Sequence, residues 1–222
     1  MNHWHIYPTA EDTAKAAAEY LAELITKTLK KQKLCHIALP GGSTPAKCFA
    51  YLTKKNLNWQ NIHWYLGDER CYPVGHAERN DTMIREHLWL PIHCPDNNIH
   101  PMQTELGAEA AAEQYSKVIE QIGTLDIALL GMGEDGHTAS LFPDNPALKL
   151  KQAAIPVHNS PKPPADRVSL SINTLQSTKN RIVLATGAGK QWAIQQIKQS
   201  ADLPINCIGQ LEWFVDNAAI GE

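Results

Sequence analysis

The residues Gly131-Met132-Gly133-Glu134-Asp135-Gly136-His137 put three glycines, two carboxylates and an imidazole within seven positions. An imidazole with an unperturbed pKa near ~6.5 exchanges protons readily around neutral pH, which suits it to general acid–base work. A carboxylate beside it can orient the ring, and the glycines let the backbone turn sharply. The stretch continues as Thr138-Ala139-Ser140-Leu141-Phe142-Pro143 and follows the apolar run 125–130, which reads as a buried strand. Open α/β sheets place their ligands at such loops, beyond the carboxyl ends of parallel strands. Alone, a Gly-His turn is more simply a solvated loop. Other loops in the chain shift that balance.

The first is Leu39-Pro40-Gly41-Gly42-Ser43-Thr44-Pro45, which joins a strand to a helix. Its glycines allow close backbone approach, and the free N–H groups at a helix start attract anions. Pro45 suits the first helical position, and Ser43 or Thr44 can cap that helix. It reads as a phosphate cradle, without the lysine of a P-loop or the G-x-G-x-x-G of a dinucleotide fold. The alternative is a plain strand–helix turn. Gly67-Asp68-Glu69-Arg70 follows another apolar strand, where adjacent opposite charges more often form a solvated turn than a site. Thr186-Gly187-Ala188-Gly189-Lys190 is a glycine turn that opens a helix and adds a cation. Arg167 heads a strand after Pro161-Lys162-Pro163-Pro164, a stiff connection that can position a side chain at little entropic cost. Together these loops offer an imidazole, carboxylates, guanidinium and ammonium groups, an inventory for a small, phosphorylated, oxygen-rich ligand.

Other residues carry less. His93, Cys94 and His100 match no structural zinc spacing and are interrupted by proline, so no metal site is expected. Trp59, Trp64, Trp89, Trp192 and Trp213 fall on helical or strand patterns and read as core. No serine or cysteine stands in a nucleophile elbow, which argues against a covalent acyl-enzyme.

The elements that must position these loops alternate short apolar runs with helical periods. Strands are predicted at 5–7, 34–39, 62–66, 125–130, 153–157, 167–171, 181–185 and 213–216. Helices are predicted after Thr9, whose cap is completed by Asp12, from Asn80 to about Leu88, over 105–122, and from Lys190 to about Ser200. Residues 91–101 hold prolines and asparagines and read as a loop. This is an α/β pattern over a parallel sheet, in one domain spanning 1–222. If each polar loop follows the carboxyl end of a parallel strand, all converge on one crevice.

A net charge of −3 gives no general affinity for nucleic acid or anionic membrane. The five cysteines form no C-x-x-C pair, which fits reduced thiols in a cytoplasmic setting. The N-terminus lacks the pattern of a secretory signal, and no apolar run approaches ~18 residues.

The loops at 39–45, 67–70, 131–143, 160–167 and 186–190, in this order, resemble those of the 6-phosphogluconolactonases, the lactone hydrolases of the pentose phosphate pathway. The resemblance spans nearly the whole chain and is most specific over the Gly131 to Pro143 block. It implies a Rossmann-like fold, mainly parallel with helices on both faces, shared with glucosamine-6-phosphate deaminase. It implies His137 as catalytic base, with Asp135 or Glu134 orienting it, and no cofactor. It also implies a substrate site drawn from Gly41, Gly42, Ser43, Thr44, Asp68, Arg70, Arg167 and Lys190. The expected reaction is hydrolysis of 6-phospho-D-glucono-1,5-lactone, by a monomer or weak homo-oligomer whose only partner is its small substrate. One rival is a deaminase or isomerase on glucosamine 6-phosphate, whose Asn-Glu-Pro ending this histidine loop lacks. Another is a sugar-phosphate sensor without catalysis, which should carry a DNA-binding segment.

Overall fold

The computed structural model describes residues 2–199 and 201–222. β1 (His3–Tyr7) leads into α1 (Ala10–Leu29), whose start is capped as the sequence predicts. The Thr9 hydroxyl accepts from the Asp12 N–H at 3.1 Å and donates to the Asp12 carboxylate at 2.7 Å. Ala14, Ala17, Ala18, Leu21, Leu24 and Ile25 form its buried stripe, and its neighbour in space is α2. Each fully buried leucine or isoleucine in that stripe contributes about 1.5–3 kcal/mol.

The chain then runs through β2 (Cys35–Leu39), α2 (Ser43–Leu52), β3 (Ile62–Leu66), β4 (Asp68–Arg70), α3 (Asn80–Ile84), β5 (Ile99–His100) and α4 (Ala108–Ile122). It continues through β6 (Ile127–Gly131), β7 (Ala154–Val157), β8 (Arg167–Leu170), α5 (Ile172–Ser177), β9 (Asn180–Ala185), α6 (Gln191–Lys198), β10 (Glu212–Asp216) and α7 (Asn217–Ile220). The predicted helix end at Ser200 lies outside the described residues. No helix among the described residues is long and apolar enough to cross a membrane.

Seven strands form a parallel sheet in the order β1-β10-β9-β6-β2-β3-β5. Successive residues of a strand face opposite sides, yet Ile127, Ala128, Leu129 and Leu130 are all buried, so both faces are covered at the centre. From β2 the chain winds outward through β3 and β5, then returns to lay β6 on the other side of β2. That reversal makes the carboxyl ends of β2 and β6 a topological switch point, the place where such sheets hold ligands.

The polar loops at 39–45, 67–70, 131–143 and 186–190 follow the parallel strands β2, β3, β6 and β9, whereas Arg167 belongs to a second sheet. β4, β8 and β7 form a three-stranded antiparallel sheet, so Arg167 starts an antiparallel strand. Gly67 is where the chain passes from one sheet to the other. Its N–H donates to Leu39 O, and its own carbonyl accepts from the Leu170 N–H, both at 2.8 Å. Periodicity could not show this, because β4 is three charged residues that read as a turn after β3.

Smaller corrections have local causes. The segment 91–101 contains β5, because Ile99 and His100 pair with Trp64 and Tyr65 at the sheet edge. Trp192 is 54% exposed and is not core, whereas Trp64 and Trp213 are fully buried. The helix from Asn80 changes to a wider π-turn over Arg85–Trp89.

Candidate active site

The loop after β6 folds back on itself through main-chain bonds: Gly133 N–H to His137 O at 2.8 Å and Gly136 N–H to Gly133 O at 3.2 Å. Gly136 has φ +78°, which a glycine adopts without strain. Gly133 is required for a different reason. A Cβ there would lie 2.0 Å from His137 Nδ1 and 2.7 Å from Asp135 Oδ1.

His137 Nδ1 lies 2.5 Å from Asp135 Oδ1, and the same oxygen accepts the His137 backbone N–H at 3.1 Å. Burial alone would raise the Asp135 carboxyl. The hydrogen bond and charge of the His137 ring, with the backbone donors, outweigh burial and hold it at about 2. Asp135 is therefore an ionised acceptor at neutral pH, so a neutral His137 ring carries its proton on Nδ1 and keeps the Nε2 lone pair free. The ring packs against Phe142 with centroids 4.5 Å apart. Glu134, the other orienting candidate, is exposed and packs beside Gly189 instead.

Gly41, Gly42, Asp68, Arg70, His137, Arg167 and Lys190 line one cleft of about 370 Å³. Ser43 and Thr44 lie outside that lining. Ser43 faces an adjoining cavity of about 600 Å³, and Thr44 Oγ1 pairs with Thr186 Oγ1 at 2.8 Å. Neither caps α2, because Gly42, at φ +112°, is the residue before its first turn. Pro45 is the third helical residue, where its missing N–H is still one of the helix's unshared donors.

The cations converge from three elements. Arg70 and Arg167 are direct cross-strand partners on β4 and β8, an arrangement that repels unless an anion lies between them. Arg167 is 5% exposed, and its guanidinium donates to the carbonyls of Lys162 at 3.0 Å and Pro163 at 3.1 Å. Arg70 donates to Glu78 O at 2.6 Å, while its buried Nε has no hydrogen-bond partner among the described residues. Burial, partly offset by Asp68, lowers the Arg167 pKa; burial, partly offset by Glu134, lowers that of Lys190. Such desolvated cations bind an anion more strongly than solvated ones do.

Asp68 is engaged within the protein. Its carboxylate accepts from Ser140 Oγ at 2.5 Å and from Asn80 Nδ2 at 3.2 Å, which ties β4 to the histidine loop. The cleft also includes Glu78, Asn80, Met132, Ala139, Phe142, Lys162 and Pro163, which the sequence does not single out as site residues. Lys162 has a signal, since it sits in the proline-stiffened stretch that precedes Arg167. Asn80, where the sequence predicts a helix start, is the first residue of α3, and its amide turns toward Asp68.

The family model for glucosamine-6-phosphate isomerases/6-phosphogluconolactonase matches residues 8–214. The chain is 38% identical over 172 residues to a 6-phosphogluconolactonase of Homo sapiens, covering 70% of this chain and 67% of that protein. It is 36% identical over 215 residues to a 6-phosphogluconolactonase of Synechocystis, covering 88% of this chain and 87% of the relative. The crystal structure of a 6-phosphogluconolactonase from Thermotoga maritima superposes with a TM-score of 0.91 at 27% identity, over 97% of this chain and 100% of the other. The chain belongs to the glucosamine-6-phosphate isomerase/6-phosphogluconolactonase family.

Proposed function

We propose that this chain is a lactone hydrolase that opens 6-phospho-D-glucono-1,5-lactone to 6-phosphogluconate in the pentose phosphate pathway, with His137 as general base. One observation carries the reading: the Asp135-held imidazole lines the same cleft as Arg70, Arg167 and Lys190. The likeness to lactonases along most of the chain supports the substrate.

In this mechanism His137 Nε2 takes a proton from water as the water oxygen bonds to the lactone C1. The carbonyl electrons move onto oxygen, and a cationic side chain or backbone N–H stabilises that oxyanion. Collapse of the tetrahedral centre breaks the bond from C1 to the ring oxygen, and the imidazolium returns its proton to that oxygen. Asp135, ionised throughout, offsets the charge on the imidazolium. The remaining cations hold the phosphoryl end. General base catalysis contributes about 10²–10⁴-fold, which suits an activated ester.

The test is a coupled assay on freshly generated lactone, corrected for spontaneous opening. His137→Ala is expected to fold normally by thermal unfolding and to lose about 10²–10⁴-fold in turnover. A folded variant with parental turnover would refute the role.

A further inference from the structure

Asn80 is only 2% exposed, yet its side chain touches two walls of the cleft. Nδ2 donates to Asp68 O at 2.8 Å and to Asp68 Oδ1 at 3.2 Å. Both partners are acceptors, so the amide orientation is fixed by chemistry: a flipped amide would set oxygen against oxygen. Oδ1 therefore points the other way, toward the Pro40–Gly42 turn, and has no hydrogen-bond partner among the described residues. It presses so closely on Gly41 that a Cβ there would lie 1.8 Å from Oδ1 and 2.5 Å from Cγ. Only a glycine Cα fits that gap.

The backbone of Asn80 is held from beneath. Glu69, fully buried, accepts the N–H groups of Arg70, Asn80 and Asp81, each at 2.8 Å. The start of α3 is thus fastened to β4, and the Asn80 side chain reaches from there to the turn after β2. Beyond Asp68 the chain of hydrogen bonds continues to Ser140 in the histidine loop.

We propose that Asn80 is a positioning residue that fixes the Gly41–Gly42 turn against the Asp68–Arg70 strand and so sets the width of the anion-binding end of the cleft. It acts through main-chain groups and Arg70, without touching the reacting carbon. The inference rests on the substrate reading proposed above, but its first readout does not need turnover.

That readout is the affinity for inorganic phosphate by titration calorimetry, in the parent and in Asn80→Ala, Gly41→Ala and the double variant. Removing the amide frees the turn, so Asn80→Ala is expected to weaken phosphate binding about tenfold, the scale of a lost buried polar contact. Lactone KM should rise in parallel while kcat stays within about threefold, the signature of lost binding rather than lost chemistry. Gly41→Ala alone should weaken binding at least as much, because its Cβ collides with Asn80. In the Asn80→Ala background the same methyl has room, and its added effect should shrink to about twofold or less, a non-additivity expected only of residues in contact. Asn80→Asp keeps the size and loses the donors, so it should also weaken phosphate binding and serves if the alanine variant fails to fold. Unchanged phosphate affinity in the folded variants, or equal Gly41→Ala effects in both backgrounds, would overturn the inference. A parent that binds phosphate without opening the lactone would sink the proposed activity and leave this inference standing.

Discussion

One oxygen, Asp135 Oδ1, receives both the ring N–H and the backbone N–H of His137, so the orientation and the tautomer of the imidazole share a single cause. Its consequences can be separated by substitution. Asp135→Asn retains an acceptor but loses the charge that offsets the imidazolium. Its kcat is expected to fall at least about tenfold with little change in KM. A rise in KM alone would show that the carboxylate serves binding instead. The carboxyl is held at about 2, below its ordinary 3.8, so its contribution to stability is present above that ordinary value and is lost as pH falls through about 2. The sequence narrows this partner to Asp135 or Glu134, because both lie within three positions of the ring in a glycine turn. Asn80 was not legible, because its partners at Gly41 and Asp68 meet it only after the chain has folded.

At the scale of elements, the histidine loop depends on main-chain space as much as on its functional side chains. Gly133→Ala would place a methyl on the imidazole. On the role proposed for His137, the variant is expected to keep its parental thermal midpoint within a few degrees while turnover falls about a hundredfold, the scale of a misplaced reacting group. Near-parental activity would mean that the loop relaxes and the ring position is not critical. The strand–helix alternation predicted most of the large sheet, since buried parallel strands read as continuous apolar runs. The small sheet was missed for a physical reason. β4 is only Asp68–Arg70, and its carboxylates Asp68 and Glu69 are buried through partners outside the strand, among them Asn80, Asp81 and Ser140. The same blindness hid the pairing of Arg70 with Arg167.

Across the molecule, the edge of the large sheet carries a ladder that catalysis does not use. His36 and His63 are cross-strand partners, His63 Nδ1 meets His100 Nε2 at 3.0 Å, and His100 stacks on Tyr65 with centroids 4.4 Å apart. Burial, with the neighbouring His63 and His36, pulls His100 down to about 4 from 6.5. The unfolded chain therefore takes up this proton first as pH falls, so stability is full above 6.5 and declines from there to about 4. The urea midpoint is expected to drop between pH 7 and pH 5, and to drop less in His100→Gln. Equal drops in parent and variant would remove the ladder as the cause. The cleft has a quite separate fastening. It lies between two sheets, with the turns after β2 and β6 on one side and β4 with β8 on the other. Gly67 hydrogen-bonds to both sheets through one N–H and one carbonyl, like a rivet through two plates. Where the plates meet at Gly67, their spacing is therefore gauged by main chain, which exchange of surface side chains leaves untouched.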